Sequence, residues 1–152
     1  MEQDIQKILI TEEQIQRRIA EMGQELTREY ADKFPVIVGV LKGVVVFFAD
    51  MVRQIKVPCQ MDFLWISSYQ GTDSTGQMVV KRDVGVDVKG RHVLILEDIY
   101  DTGNSLDFTV RHLLEKQPAQ DPGERELRVT VPENLNYGEI FDDLFEVPGK
   151  WP

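Results

Sequence analysis

Val93 to Leu106 reads VLILEDIYDTGNSL. Val93 to Leu96 is a short, wholly apolar run, which predicts a strand buried on both faces. Asn104 to Lys116 carries the pattern of a following helix. Between them stand Glu97, Asp98, Ile99, Tyr100 and the small polar turn Asp101-Thr102-Gly103-Asn104-Ser105. Adjacent acids at the end of a buried strand carry a desolvation cost unless partnered. They point to opposite faces if the strand continues through them. Their hard oxygens suit Mg²⁺ and sugar hydroxyls. The turn admits two readings. One is a tight turn with Asp101 or Ser105 as helix N-cap. The other is an anion cradle, in which Gly103 lets the backbone come close and helix-start N–H groups face a phosphate. A sugar whose phosphate sat there would bring its hydroxyls near Glu97 and Asp98.

Working outward, strands and helices alternate. Thr11 to Tyr30 reads as a helix, with Thr11 as N-cap and Gln14 completing a capping box. Ile15, Ile19, Met22 and Leu26 give it one apolar face. Pro35 marks its exit. Val36 to Leu41 predicts a buried strand, and Val44 to Ile55 a helix packed on it. Met61 to Ser67 and Met78 to Val84 are further strands, separated by the polar, glycine-bearing loop Tyr69 to Gln77. After Pro118 to Gly123, a linker-like stretch, Glu124 to Val131 reads as a strand and Tyr137 to Phe145 as a short amphipathic helix. The alternation implies βαβ crossovers and a mostly parallel sheet, with ligands beyond the carboxyl ends of its strands. Two such ends carry unusual residues: Leu41-Lys42-Gly43, and Glu97-Asp98 with the turn after it.

The bulk numbers narrow the function. A chain of 152 residues with 42% hydrophobic content suits one domain with a core of its own. No run of about 18 apolar residues is present, so no membrane span is expected. The first ten residues, MEQDIQKILI, lack the basic region of a signal peptide. The single cysteine, Cys59, excludes an internal disulfide and fits a reducing, cytoplasmic setting. A net charge of −9 argues against a nucleic-acid partner but not against one phosphorylated small molecule. Cys59 reads as a structural thiol, Asp73 and Ser74 as solvated loop residues, and His92 and His112 as structural residues with no evident partner.

VLILEDIYDTG resembles the phosphoribosyl-pyrophosphate signature of the type I phosphoribosyltransferases. VGVLKGVVVFFADMVRQI (Val38 to Ile55), DFLWISSYQGTDSTGQ (Asp62 to Gln77) and KRDVGVDVKGRHVLILEDIYDTGNSL (Lys81 to Leu106) narrow the resemblance to the bacterial hypoxanthine-guanine branch. The resemblance runs from about residue 4 to about residue 119. It implies an α/β fold with a mostly parallel sheet flanked by helices, in two parts: residues 1–119 as core and 120–152 as an atypical C-terminal segment. The implied reaction joins hypoxanthine or guanine to phosphoribosyl pyrophosphate, giving IMP or GMP and pyrophosphate, with Mg²⁺. Carried onto this chain, Glu97 and Asp98 would hold the ribose hydroxyls, directly or through Mg²⁺. Asp101 would be the general acid/base near the purine N7. Thr102, Gly103, Asn104 and Ser105 would bind the 5′-phosphate. Leu41, Lys42 and Gly43 would form the pyrophosphate loop, with the Leu-Lys peptide cis as in the family. Ser68 and Tyr69 would belong to a loop that closes over the site. A dimer or tetramer is implied as well, with Val44 to Phe48 as a contact, though core burial explains that run equally well.

After residue 119 the resemblance stops. The family's base-reading lysine, base-stacking residue and C-terminal aspartate and arginine are not found in order, and Lys150 is the only lysine after Lys116. The tail faintly resembles the soluble tail of a bacterial membrane-protein family, as in a fusion or a rearranged copy. Three readings follow: a purine phosphoribosyltransferase with an altered base pocket, a phosphoribosyl-ligand or nucleotide-binding regulator of the same fold, or a folded but inactive relic.

Overall fold

In a computed structural model, residues 10–68, 78–99, 103–119 and 127–130 are described, with Ser68 and residues 127–130 described by their backbone alone. The elements are α1 (Glu12–Glu29), β1 (Val36–Leu41), α2 (Val45–Gln54), β2 (Gln60–Ser68), β3 (Met78–Arg82), β4 (Val93–Leu96), α3 (Asn104–Leu114) and β5 (Leu127–Thr130). Each is an element the sequence predicts, with ends shifted by a few residues. The expected loop 69–77 and helix 137–145 lie outside the described residues.

The strands form one sheet in the order β3-β2-β1-β4-β5. β1 pairs in parallel with β2 and β4, and β4 in parallel with β5. Only β3 runs antiparallel, along β2. Side chains alternate between faces with the strand's period of two. Ile37, Leu94 and Leu96 turn to one face and pack with Ile19, Met22 and Leu26 of α1 and Phe47, Phe48 and Met51 of α2. Val36, Val38, Val40, Val93 and Ile95 turn to the other, with Leu64, Ile66, Val88 and Leu113. Gly39 lies on the α2 side, where an added Cβ would come within 2.7 Å of Phe48 Cδ2, so glycine lets α2 lie close on β1.

α1 starts as its sequence dictates. The Gln14 N–H donates to Thr11 Oγ1 and the Thr11 N–H to Gln14 Oε1, the two halves of a capping box. Ile19, Met22 and Leu26 are buried, but Ile15 is 41% exposed and is corrected out of the apolar face. It stands a full turn before Ile19, the first buried residue of the helix. The helix start at Val44 splits in a similar way. Val44, Phe47 and Phe48 are buried, whereas Val45 and Val46 are exposed.

His112 also needs correction, because it has a partner. Its Nε2 lies 2.9 Å from Asp83 Oδ1, while Lys116 Nζ donates to Asp83 Oδ2 at 2.6 Å. Asp83 follows β3 directly, and the signal was invisible in sequence because 29 residues separate it from His112. Burial pushes the Asp83 carboxyl up, but the hydrogen bonds from Lys116, His112 and the Val84 N–H together outweigh it and hold the carboxyl below its usual value. A lowered carboxylate stabilises the fold above its unfolded pKa, about 3.9, and loses that contribution as pH falls through the lower folded value. Because the Asp83 side chain is 39% exposed, solvent screening limits the effect. Asp83→Asn should therefore cost about 0.5–1 kcal/mol at pH 7. Urea melts of both proteins between pH 7 and 2.5 should show the gap closing below about pH 4. A gap independent of pH would exclude the ionised carboxylate as its source.

Candidate functional site

The carboxyl ends of β1, β2 and β4 lie along one edge of the sheet. The register pairs Gly39 with Leu96 and Leu41 with Trp65. Glu97 and Asp98 thus leave β4 level with the last residues of β1, and Lys42-Gly43 turns directly beside them. The Leu41-Lys42 peptide is cis, as the resemblance implies. A Cβ on Gly43 would stand 3.2 Å from both carboxylate oxygens of Asp98. This contact joins the two unusual strand ends into one site.

β4 stops at Leu96, so the acids do not continue a strand with carboxylates on opposite faces. Instead the Glu97 carboxyl meets the side chain and backbone of Asp98. Burial, the hydrogen bond to the Asp98 side chain and repulsion from its charge push the Glu97 carboxyl up to about 8, against a smaller lowering by the Asp98 N–H. Glu97 Oε2 is buried with no hydrogen-bond partner. An orphaned oxygen beside a second carboxylate is the donor set a Mg²⁺ ion takes when it binds one or two carboxylates and completes its shell with water and substrate phosphate. The pair fits the ion on that ground. Among the described residues, no group of three or more His, Cys, Asp or Glu side chains forms a metal cluster.

α3 begins where the sequence placed it, but its cap is Gly103, not Asp101 or Ser105. Gly103 has φ +79°, a left-handed conformation that favours glycine. Among the described residues, no side chain caps this helix. With no described side-chain acceptor at the cap, first-turn N–H groups stay available at the positive end of the helix dipole. Asp107, the one acid of that turn, is drawn aside by Arg111 at 3.0 Å. Asn104 and Ser105 are exposed at the helix start, and the Ser105 carbonyl accepts from Thr109 Oγ1 at 2.8 Å. An uncapped, glycine-led N-terminus is suited to an anion.

The described residues therefore bring Leu41, Lys42, Gly43, Glu97, Asp98, Gly103, Asn104 and Ser105 to one edge of the sheet, with the backbone of Ser68 ending β2 at the same edge. Tyr69, Asp101 and Thr102 lie outside the described residues. Sequence reasoning missed two side chains. Asp62 Oδ2 accepts from the N–H groups of Gly85 and Val86 at 2.6 and 2.8 Å and fastens the segment that follows β3. Trp65 lies beneath Lys42, whose Nζ is 5.3 Å from the ring centroid. A solvent-facing tryptophan in a strand of otherwise ordinary pattern was the available signal. No helix among the described residues is long and apolar enough to cross a membrane.

The phosphoribosyl transferase domain family matches residues 6–131. The hypoxanthine-guanine phosphoribosyltransferase of Bacillus subtilis (strain 168) is 46% identical over 111 residues, covering 72% of this chain and 62% of that protein. That of Streptococcus pneumoniae (strain ATCC BAA-255 / R6) is 46% identical over 107 residues, covering 70% and 59%. The chain thus spans about three fifths of the length of these relatives. A solved hypoxanthine phosphoribosyltransferase from Staphylococcus aureus superposes with a TM-score of 0.75 at 34% identity, covering 86% of this chain and 69% of that one. The Trypanosoma cruzi hypoxanthine phosphoribosyltransferase in complex with the product IMP superposes at 0.72, with 34% identity over 83% of this chain and 69% of that one. These neighbours share the type I phosphoribosyltransferase fold. The family match runs past residue 119 and takes in β5.

Proposed function

This chain belongs to the phosphoribosyl transferase domain family, and on that premise we propose that it converts hypoxanthine or guanine and phosphoribosyl pyrophosphate to IMP or GMP and pyrophosphate. The observation that carries the reading is the approach of Gly43 to the Asp98 carboxylate, with a glycine-led, uncapped helix start a few residues on. The helix start would receive the 5′-phosphate through the N–H groups after Gly103 and the Ser105 and Thr102 hydroxyls. Glu97 and Asp98 would take the ribose hydroxyls or a bound Mg²⁺. When bound, that ion would offset negative charge on pyrophosphate. Lys42 and the backbone at Gly43 would face the leaving group, where a cation and N–H donors lower the cost of the charge that grows there. As the bond from C1 to the pyrophosphate oxygen breaks and a bond from C1 to the purine nitrogen forms, Asp101 would take the proton the base gives up. Ser68 and Tyr69 would cover the site and exclude water.

The test combines the protein, phosphoribosyl pyrophosphate, Mg²⁺ and each of hypoxanthine, guanine, xanthine, adenine and uracil, and assays nucleotide and pyrophosphate. Product with hypoxanthine or guanine, lost on adding a chelator, supports the proposal. Binding of phosphoribosyl pyrophosphate without product from any base supports the second reading, a binding or regulatory protein of this fold. That reading is favoured by one observation: Lys150 is the only lysine after Lys116, so a base-reading lysine is not in its family place.

Gly43 offers a narrower check. In Gly43→Ala the Asp98 carboxylate must give way to a Cβ at 3.2 Å. A displaced ligand side chain should cost about tenfold in kcat/KM for phosphoribosyl pyrophosphate, with the melting temperature nearly unchanged. Unaltered kinetics would detach the Gly43–Asp98 contact from function.

We also propose a cytoplasmic location, consistent with the lone cysteine, and a homodimer or tetramer with the exposed Val45 and Val46 in its contact. Light scattering of the native protein and of Val46→Asp distinguishes an oligomer built there from one built elsewhere.

A further inference from the structure

We infer that Trp65 is a positioning residue for the Lys42 turn: its indole anchors the Lys42 ammonium and so holds the turn against the neighbouring strand. The inference deepens the proposed phosphoribosyl-pyrophosphate site and rests on that reading for its kinetic part. Lys42 follows directly on β1, and Leu41 is level with Trp65 across the parallel β1–β2 ladder. The lysine therefore folds back over the next strand, with Nζ 5.3 Å from the ring centroid. Among the described residues the Lys42 ammonium has no carboxylate partner, although Asp98 lies against Gly43, the next residue. An ammonium over an indole face is attracted by the ring's negative quadrupole, and it stays positively charged and open to an anion on its other side. A carboxylate partner would neutralise it.

The sheet is irregular beside this contact. The register with β3 slips between Trp65 and Ile66, where Trp65 opposes Arg82 and Ile66 opposes Val80. The extra residue, Lys81, belongs to β3, and such irregularities, which twist the strand pair locally, are common next to active sites. Trp65 is 38% exposed, an otherwise unrewarded position for the largest apolar side chain. Without the anchor, a four-carbon lysine stem samples many rotamers, and pyrophosphate must order it on binding. With the anchor that ordering is done beforehand, so removing Trp65 should weaken binding of the pyrophosphate group and leave the chemical step alone.

The experiment has two arms. The first reads the anchor without ligand. The chain holds two tryptophans, Trp65 and Trp151, so Trp151→Phe leaves Trp65 as sole emitter. In that protein Lys42→Met should change the Trp65 emission intensity, because a charged quencher leaves the ring. Unchanged emission overturns the inference. The second arm measures Trp65→Leu, Trp65→Phe, Lys42→Met and the Lys42→Met/Trp65→Leu double variant. Trp65→Leu should raise KM for pyrophosphate in the reverse reaction about threefold with kcat held, and Trp65→Phe should recover most of the loss. In the Lys42→Met background Trp65→Leu should add nothing. An equal rise with and without Lys42, or a loss confined to kcat, overturns the positioning role. If the parent protein turns over no substrate, the same comparison is made on the calorimetric Kd of Mg-pyrophosphate. If the parent binds none, the proposed function fails, and with it the positioning role, while the emission arm still decides whether the anchor exists.

Discussion

Asp101→Asn should lower kcat by about 100-fold or more while leaving binding of phosphoribosyl pyrophosphate largely intact. Amide for carboxylate keeps the size of the side chain and removes the base. Asp101 stands between the Glu97-Asp98 pair and Gly103, the residue that opens α3. In the proposed function its neighbours on both sides would serve the sugar and the 5′-phosphate. On the proposed reading, a carboxylate at that point in the sequence would serve the part of the ligand between them, the C1 carbon and the base joined to it. Turnover and the calorimetric Kd must be measured together. A fall in both by the same factor would mean that Asp101 binds without catalysing, and an unchanged kcat would remove it from the mechanism. Retention of this carboxylate also bears on the choice between enzyme and binder, since a protein that only holds a phosphoribosyl ligand gains nothing from a general base.

Gly23→Ala should destabilise the fold by about 3 kcal/mol, at the upper end of what overpacking costs. The Cβ would stand 2.3 Å from Gln54 Cβ and 3.0 Å from the Gln54 backbone carbon. Neither atom is the free end of a flexible chain, so α1 and α2 must move apart. Their junction is fastened there by more than packing. Thr27 Oγ1 accepts from the Lys56 N–H at 2.9 Å and donates to the Gly23 carbonyl at 2.6 Å. Separation of the helices would strain these bonds and loosen Met22 and Leu26 from Met51 and Phe47 in the shared core. For a domain of this size, 3 kcal/mol lowers the melting temperature by about 6–12 °C. On propensity alone the substitution should stabilise a helix by about 1 kcal/mol. The sign of the measured change therefore shows whether helix propensity or the contact with Gln54 decides.

That contest shows where sequence reasoning ran out. Gly23 in an amphipathic helix looks like a weak point to be improved, and only the approach of α2 makes it necessary. His112 looked unpartnered because Asp83 is distant in sequence. Ile15 matched the apolar period of α1, yet the helix meets its neighbour a turn later. Period and spacing describe one element at a time. They do not say where two elements begin to touch.

The sequence by itself determined a good deal. Apolar runs of four to six residues made β1 and β4 buried strands, and Thr11 with Gln14 set the start of α1. The alternation of elements required a mostly parallel sheet with its site at the strand ends. These outcomes were legible because each depends on side-chain polarity and hydrogen bonding within a few residues. Tertiary structure alone decided that Gly43 lies against Asp98, that the two acids crowd each other instead of diverging, and that Trp65 sits beneath Lys42. Each of these depends on strand register and on where a strand stops. Both are set by the burial of whole faces of the sheet, which no single segment contains.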